Sequence, residues 1–170
     1  MTAEYERLHT MLTEVKAKMV AQGYPEYTLE DFYDEFMEAF EGVKTQTPKD
    51  LVALFRDEGT SSYLVCFVRL LTAYHVKANP DSFAPFVEAM HPGMGLAEFC
   101  TREIEGMGRE CDQLQIMATT GAFQVPVRIA YLDASASTDT PTLVVLPDES
   151  KPPLVDLLYR PGHYDVLYKA

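Results

Sequence analysis

The sequence predicts an α+β domain in which helices come first and a mostly antiparallel sheet comes last. Two observations carry this. Through the first two thirds of the chain, apolar residues recur at steps of three and four, the spacing of one helix face. In the last third the period falls to two: Val125, Val127 and Ile129 alternate with Pro126, Arg128 and Ala130. The 170 residues are the length of one domain, spanning 1–170. With 47% apolar residues the chain can fill a sizeable core.

The first helix is expected from Glu4 to Gln22, with Tyr5, Leu8, Leu12, Val15 and Met19 on its apolar face and Gly23 as its stop. Thr28, with Asp31 three residues on, has the pattern of a capping box and starts a second helix. Leu29, Phe32, Phe36 and Phe40 form its buried stripe, and Glu30, Asp31, Asp34, Glu35, Glu38 and Glu41 its solvated face. Thr47-Pro48 opens a third helix, ending near Gly59. Ser61 or Ser62 caps a fourth, Tyr63 to Val76, apolar almost all round and hence the most buried.

Asn79-Pro80 ends that helix, and a short one over Ser82–Met90 follows. After a loop at Pro92–Gly95 another helix runs from about Leu96 to Ile104, and Asp112 caps one from Gln113 to about Thr120. Strands are expected at Val125–Leu132, Thr142–Leu146 and Leu154–Tyr159, and, beyond an Arg160-Pro161-Gly162 turn, at His163–Tyr168. Ala134–Pro141, rich in Ser, Thr and Asp, reads as a surface loop.

Composition narrows the partners. Acidic residues number 26 against 14 basic ones, a net charge of −12. That argues against nucleic acid, which needs a basic footprint, and against anionic membrane surfaces. The longest apolar run, Tyr63 to Val68, is far short of the roughly 20 residues of a membrane span. The start, Met1-Thr2-Ala3-Glu4, has neither the basic nor the apolar region of a signal peptide. Three cysteines without repeated spacing do not make a disulfide framework, so a reducing compartment, cytoplasm or nucleus, is expected.

The chemistry concentrates at the end of the chain. A Pro-Gly turn delivers His163 to the start of the last strand, and Asp165, two residues on, leaves the same face. A carboxylate beside an imidazole fixes its tautomer and supports its charged form, which is the base-plus-orienter half of a nucleophilic triad. His9, His75 and His91 read as structural. No His or Cys pair has zinc-ligand spacing, and no Walker loop, GxGxxG or GxSxG is present, so no metal or cofactor is expected. Cys66 and Cys100 lie among apolar helix residues. Cys111 precedes a helix, but Glu110 and Asp112 flank it and their charges oppose a thiolate.

The segment Leu157-Leu158-Tyr159-Arg160-Pro161-Gly162-His163-Tyr164-Asp165-Val166-Leu167-Tyr168-Lys169 resembles the catalytic histidine strand of the otubains, ubiquitin-specific cysteine peptidases of the ovarian-tumour-domain class. Ser62 to Thr72 is similar to their central helix, and Glu98-Phe99-Cys100 and Arg109-Glu110-Cys111-Asp112 to their next two helical signatures. Gln22-Gly23-Tyr24 and Thr28-Leu29-Glu30-Asp31-Phe32 follow the same pattern, so the resemblance covers essentially the whole chain.

The resemblance implies an otubain-like cysteine-peptidase fold, with N-terminal helices packed on the C-terminal sheet. It implies hydrolysis of the isopeptide bond between ubiquitin and a lysine, with His163 as general base and Asp165 as its orienter. It places a ubiquitin on a surface containing Phe86, Glu110, Gln113, Met117 and Tyr159, with no cofactor. The family nucleophile belongs to an Asp-Gly-Asn-Cys-Phe motif at a helix N-terminus, and these 170 residues hold no such motif. The expectation is therefore an N-terminally incomplete peptidase domain carrying half of a triad. The alternative is a catalytically inactive protein that binds ubiquitin, polyubiquitin or a ubiquitin-conjugating enzyme.

Overall fold

A computed structural model describes residues 2–132 and 141–168. The chain divides into two compact units, Met1–Met107 and Gly108–Ala170. The first is helical: α1 (Ala3–Ala21), α2 (Glu26–Gly42), α3 (Pro48–Arg56), α4 (Glu58–Ala78), α5 (Pro80–Met90) and α6 (Leu96–Phe99), the last running into a π-helical turn over Cys100–Ile104. The second holds α7 (Gln113–Phe123) and strands β1 (Val127–Tyr131), β2 (Thr142–Leu146), β3 (Val155–Arg160) and β4 (His163–Leu167). Helices first and sheet last is the α+β order expected.

Local chemistry explains most boundaries. At the end of α1, Gly23 turns left-handed at φ 102°. Its N–H donates to Val20 O (3.0 Å) and that of Tyr24 to Met19 O (3.2 Å), the paired bonds of a Schellman stop. α2 starts two residues before the expected Thr28. Pro25, at φ −62°, occupies the cap position, and its carbonyl accepts from Thr28 and Leu29. Thr28 is thereby drawn into the first turn and caps nothing. Of the expected stripe Leu29 is fully buried, while Phe32, Phe36 and Phe40 are half-buried.

Thr47 and Asp50 close a complete capping box at α3, each side chain accepting from the other residue's backbone N–H. Thr47→Ala should cost about 1 kcal/mol of stability, read as a lower urea midpoint at unchanged slope.

α3 ends at Arg56 rather than near Gly59, because Asp57 is both its last cap and the first cap of α4. Asp57 Oδ1 accepts from Thr60 N at 2.8 Å, so Ser61 and Ser62 lie inside α4 and cap nothing. α5 starts at Pro80, since Asn79 likewise serves two helices. The helix expected to continue to Ile104 widens after Phe99: Glu105 N donates to Cys100 O at 2.9 Å, five residues back. Arg69 of α4 donates to Ile104 O at 2.8 Å and satisfies the carbonyl at the end of this turn.

α4 is the spine of the helical unit, as expected. Leu64, Phe67, Leu71, Thr72, Ala73 and Val76 are buried, although Tyr63 and Val65 in its second turn are exposed. Phe67 packs against Tyr33 and Phe36 of α2, with ring centroids 5.6 and 4.7 Å away. At the far end of α4, Lys77 Nζ donates to Glu105 Oε1 (2.6 Å) and to Tyr24 OH (3.2 Å). Burial pushes the Tyr24 phenol up to about 12, so it stays a neutral partner.

The sheet of the second unit has the order β2-β1-β3-β4. β1–β2 and β3–β4 are antiparallel, and the central β1–β3 pairing is parallel. Two of three pairings thus match the expectation. β2 folds back along one side of β1, and β3 must then return along the other side in the direction of β1. Ile129 is fully buried, and α7 contacts β2. α7 runs three residues past Thr120: Gly121 stays helical and the turn comes at Gln124, left-handed at φ 51°. Apart from Pro141, the loop expected over Ala134–Pro141 lies outside the described residues. Among the described residues no helix is long and apolar enough to cross a membrane.

Candidate functional site

The site grows from the β3–β4 hairpin. Pro161 fixes a negative φ at the first turn position and Gly162 takes φ 75° at the second, where a Cβ would be strained. The turn pairs Arg160 directly with His163, Tyr159 with Tyr164 and Leu158 with Asp165. Strand alternation sends His163 and Asp165 to one face, as their spacing predicts. Asp165 Oδ1 lies 3.1 Å from His163 Nε2, and Arg160 Nη2 donates to Asp165 Oδ2 at 2.8 Å. With Nε2 turned to the carboxylate, Nδ1 is the ring nitrogen left to face a reacting group.

These contacts hold the Asp165 carboxyl below the usual carboxylate range: the hydrogen bond from His163 contributes most, then that from Arg160. A carboxyl lowered on folding stabilises the fold in full above its unfolded value, and that contribution disappears as pH falls through the folded value. His163→Ala should therefore raise the Asp165 titration midpoint and weaken the pH dependence of stability in that acidic window. Carboxyl-carbon NMR titration alongside acid unfolding checks both.

A surface pocket of 380 Å3 opens beside the imidazole, lined by residues 110–113, 131, 159 and 162–164. Three tyrosine rings pack at tilted angles along one wall: Tyr131 against Tyr159 with centroids 5.2 Å apart, and Tyr159 against Tyr164 at 4.8 Å. Burial, then the neighbouring phenols, push the Tyr164 hydroxyl up to about 12, so it stays protonated at neutral pH. The pocket joins an imidazole and an aromatic wall to the carboxylates of Glu110 and Asp112.

Of the residues singled out from sequence, Glu110, Gln113 and Tyr159 line this pocket with His163. Met117 stands one turn beyond Gln113 on α7, half-buried. Phe86 belongs to the helical unit, 52% exposed on α5. Sequence reasoning missed Tyr131 and Tyr164 as pocket residues, and Arg160 as a partner of Asp165. Tyr164 adjoins His163 and was within reach. Tyr131 enters through the parallel β1–β3 register, which sets it beside Tyr159.

The other histidines have structural partners, as expected: His9 Nε2 lies 3.0 Å from Glu41 Oε1, His75 packs on Phe83, and His91 on Phe99. Burial pushes the Cys66 thiol up and the Cys100 thiol up to about 11. Cys100 is buried with its sulfur 3.8 Å from Ala73 O, so neither thiol is set up to attack a carbonyl. Cys111 is exposed and lies on the pocket rim. Among the described residues no group of three or more His, Cys, Asp or Glu is placed to hold a metal ion.

The family model for peptidase C65, otubain, matches residues 1–169. The chain belongs to the otubain family. Among otubains it is 40% identical over 168 residues to ubiquitin thioesterase OTUB1 of Rattus norvegicus and of Homo sapiens, covering 98% of this chain and 60% of theirs. It is 37% identical to the otubain-like ubiquitin thioesterase of Caenorhabditis briggsae, of which it covers 59%. The chain thus spans about 60% of the length of these otubains. The solved complex of h/ceOTUB1 with ubiquitin aldehyde and UBC13~Ub superposes with a TM-score of 0.88 at 33% identity, over 98% of this chain and 65% of that one. The corresponding complex with UBCH5B~Ub gives 0.87. The family expected from the histidine strand and the helical signatures is the family found, and the fold class with it.

Proposed function

We propose that the chain forms one otubain-type deubiquitinase domain, which binds ubiquitin or polyubiquitin and carries the base half of an isopeptidase site. The observation that carries the proposal is the His163–Asp165 pair beside a pocket that also holds Glu110, Gln113 and Tyr159. In the proposed reaction a cysteine thiolate attacks the carbonyl of the bond between ubiquitin and a lysine. His163 takes the thiol proton and returns it to the leaving amine, while Asp165 holds the ring. On the helical unit Phe86, and on the sheet unit Glu110, Gln113, Met117 and Tyr159, are the proposed ubiquitin contacts. The neighbouring OTUB1 complexes, which hold ubiquitin aldehyde and UBCH5B or UBC13 conjugates, support ubiquitin and a ubiquitin-conjugating enzyme as partners. The proposed setting is the cytoplasm or nucleus.

Titrating isotope-labelled ubiquitin with the chain should shift a contiguous set of ubiquitin resonances. Tyr159→Ala should weaken the affinity by about tenfold, the scale of a buried aromatic anchor. A ubiquitin spectrum unmoved at saturating chain would sink the proposal. A second reading, a catalytically inactive ubiquitin- or conjugating-enzyme-binding protein, is favoured by the cysteines. Cys100 is buried, Cys66 is half-buried within α4 with its thiol pushed up, rather than in the core as expected, and Cys111 is flanked by carboxylates.

A further inference from the structure

We infer that Arg160 is a positioning residue for the His163–Asp165 pair: by holding Asp165 Oδ2 it fixes the carboxylate so that Oδ1 meets the imidazole Nε2 and Nδ1 is left free. The inference rests on the proposed function for the use made of the pair; the contacts themselves stand apart from it.

The hairpin register creates the arrangement. Arg160 pairs directly across from His163, and Asp165 is the next residue along β4 on the same face. The two-residue Pro161-Gly162 turn keeps the strand ends together, so the arginine side chain spans the diagonal to Asp165. Its Nη2 reaches Oδ2 at 2.8 Å, while the other oxygen stands 3.1 Å from Nε2.

A carboxylate held at one oxygen can rotate about its Cβ–Cγ bond and exchange its two oxygens. Held at both by different donors, it loses both contacts if it turns. The neutral imidazole then carries its proton on Nε2, donating to Oδ1, and presents the Nδ1 lone pair as a proton acceptor. Glu110 and Asp112 line the same pocket, and it is Asp165 that the imidazole meets, at 3.1 Å. Side-chain exposures of 55% for Arg160 and 44% for Asp165 make this a weak stabilising pair. Its consequence is orientation rather than folding energy.

The test uses the full chain without ubiquitin, so its failure is distinct from failure of the ubiquitin reading. Imidazole nitrogen shifts report the His163 tautomer, and carboxyl-carbon shifts report the Asp165 titration. Arg160→Gln should lower the Nε2–H to Nδ1–H ratio by about two- to fivefold, the range an exposed ion pair supports. It should also move the Asp165 midpoint up towards the usual carboxylate range. Arg160→Lys, which keeps the charge, should restore part of both effects. An unchanged tautomer ratio in Arg160→Gln overturns the inference. So does an Arg160→Lys variant indistinguishable from Arg160→Gln, because the effect would then come from altered strand geometry. An unchanged amide spectrum elsewhere in the sheet confirms that each variant is folded.

Discussion

Incubated with a ubiquitin-based thiol-reactive probe, this chain should form no covalent adduct, and a fluorogenic ubiquitin substrate should show no turnover. The reason lies in where its three thiols sit. Cys100 is buried on the π-helical turn, with its thiol pushed up to about 11 by burial. Cys66 lies within α4 and is pushed up by the same cause. Neither meets the need of a nucleophile for an accessible sulfur in surroundings that favour the thiolate. Cys111 is accessible and shares a pocket with His163, but carboxylates flank it on both sides. A base without a positioned nucleophile leaves a rate orders of magnitude below that of a complete triad. Mass spectrometry of the probe reaction reads the outcome directly. An adduct mapped to Cys111 would overturn this expectation and make the pocket rim a relocated nucleophile site. Joining to this chain a segment that bears the family's Asp-Gly-Asn-Cys-Phe motif should bring adduct formation, and removing His163 from that joined protein should abolish it.

The largest stability effect is expected from Phe67→Ala, at about 3–5 kcal/mol. Phe67 is fully buried on α4, where its ring meets Tyr33 and Phe36. Truncation loses the transfer energy of the ring and leaves a cavity between rigid helices, which cannot collapse far. Phe36→Ala should cost less, because Phe36 is only half-buried. Urea unfolding of the three proteins gives the comparison. Equal losses would show that the α2–α4 contact is centred elsewhere.

Periodicity made the elements legible. The 3.6-residue pattern and the cap residues located the long helices, the two-residue alternation located β1, and the other three strands were expected in their observed order. Boundaries slipped where one polar residue served two elements. Asp57 and Asn79 each end one helix and begin the next, and the stronger-looking serines and Gly59 fell inside α4. Pro25 displaced Thr28 in the same way, because a proline carbonyl with its backbone angle already fixed accepts the first helical amides.

The family, the α+β order and the coupling of His163 to Asp165 are all legible in the residues alone. That coupling follows from a strand's period of two, and no tertiary contact is needed to place the two side chains on one face. Tertiary structure alone decided what surrounds the pair. Tyr131 reaches the pocket because β3 returns parallel to β1, and parallel pairing joins residues 28 apart in sequence through hydrogen bonds no local pattern encodes. Arg160 meets Asp165 because a two-residue turn fixes the register of β3 on β4. Local chemistry sets elements and their faces, whereas register and strand order depend on which faces the whole chain can bury together.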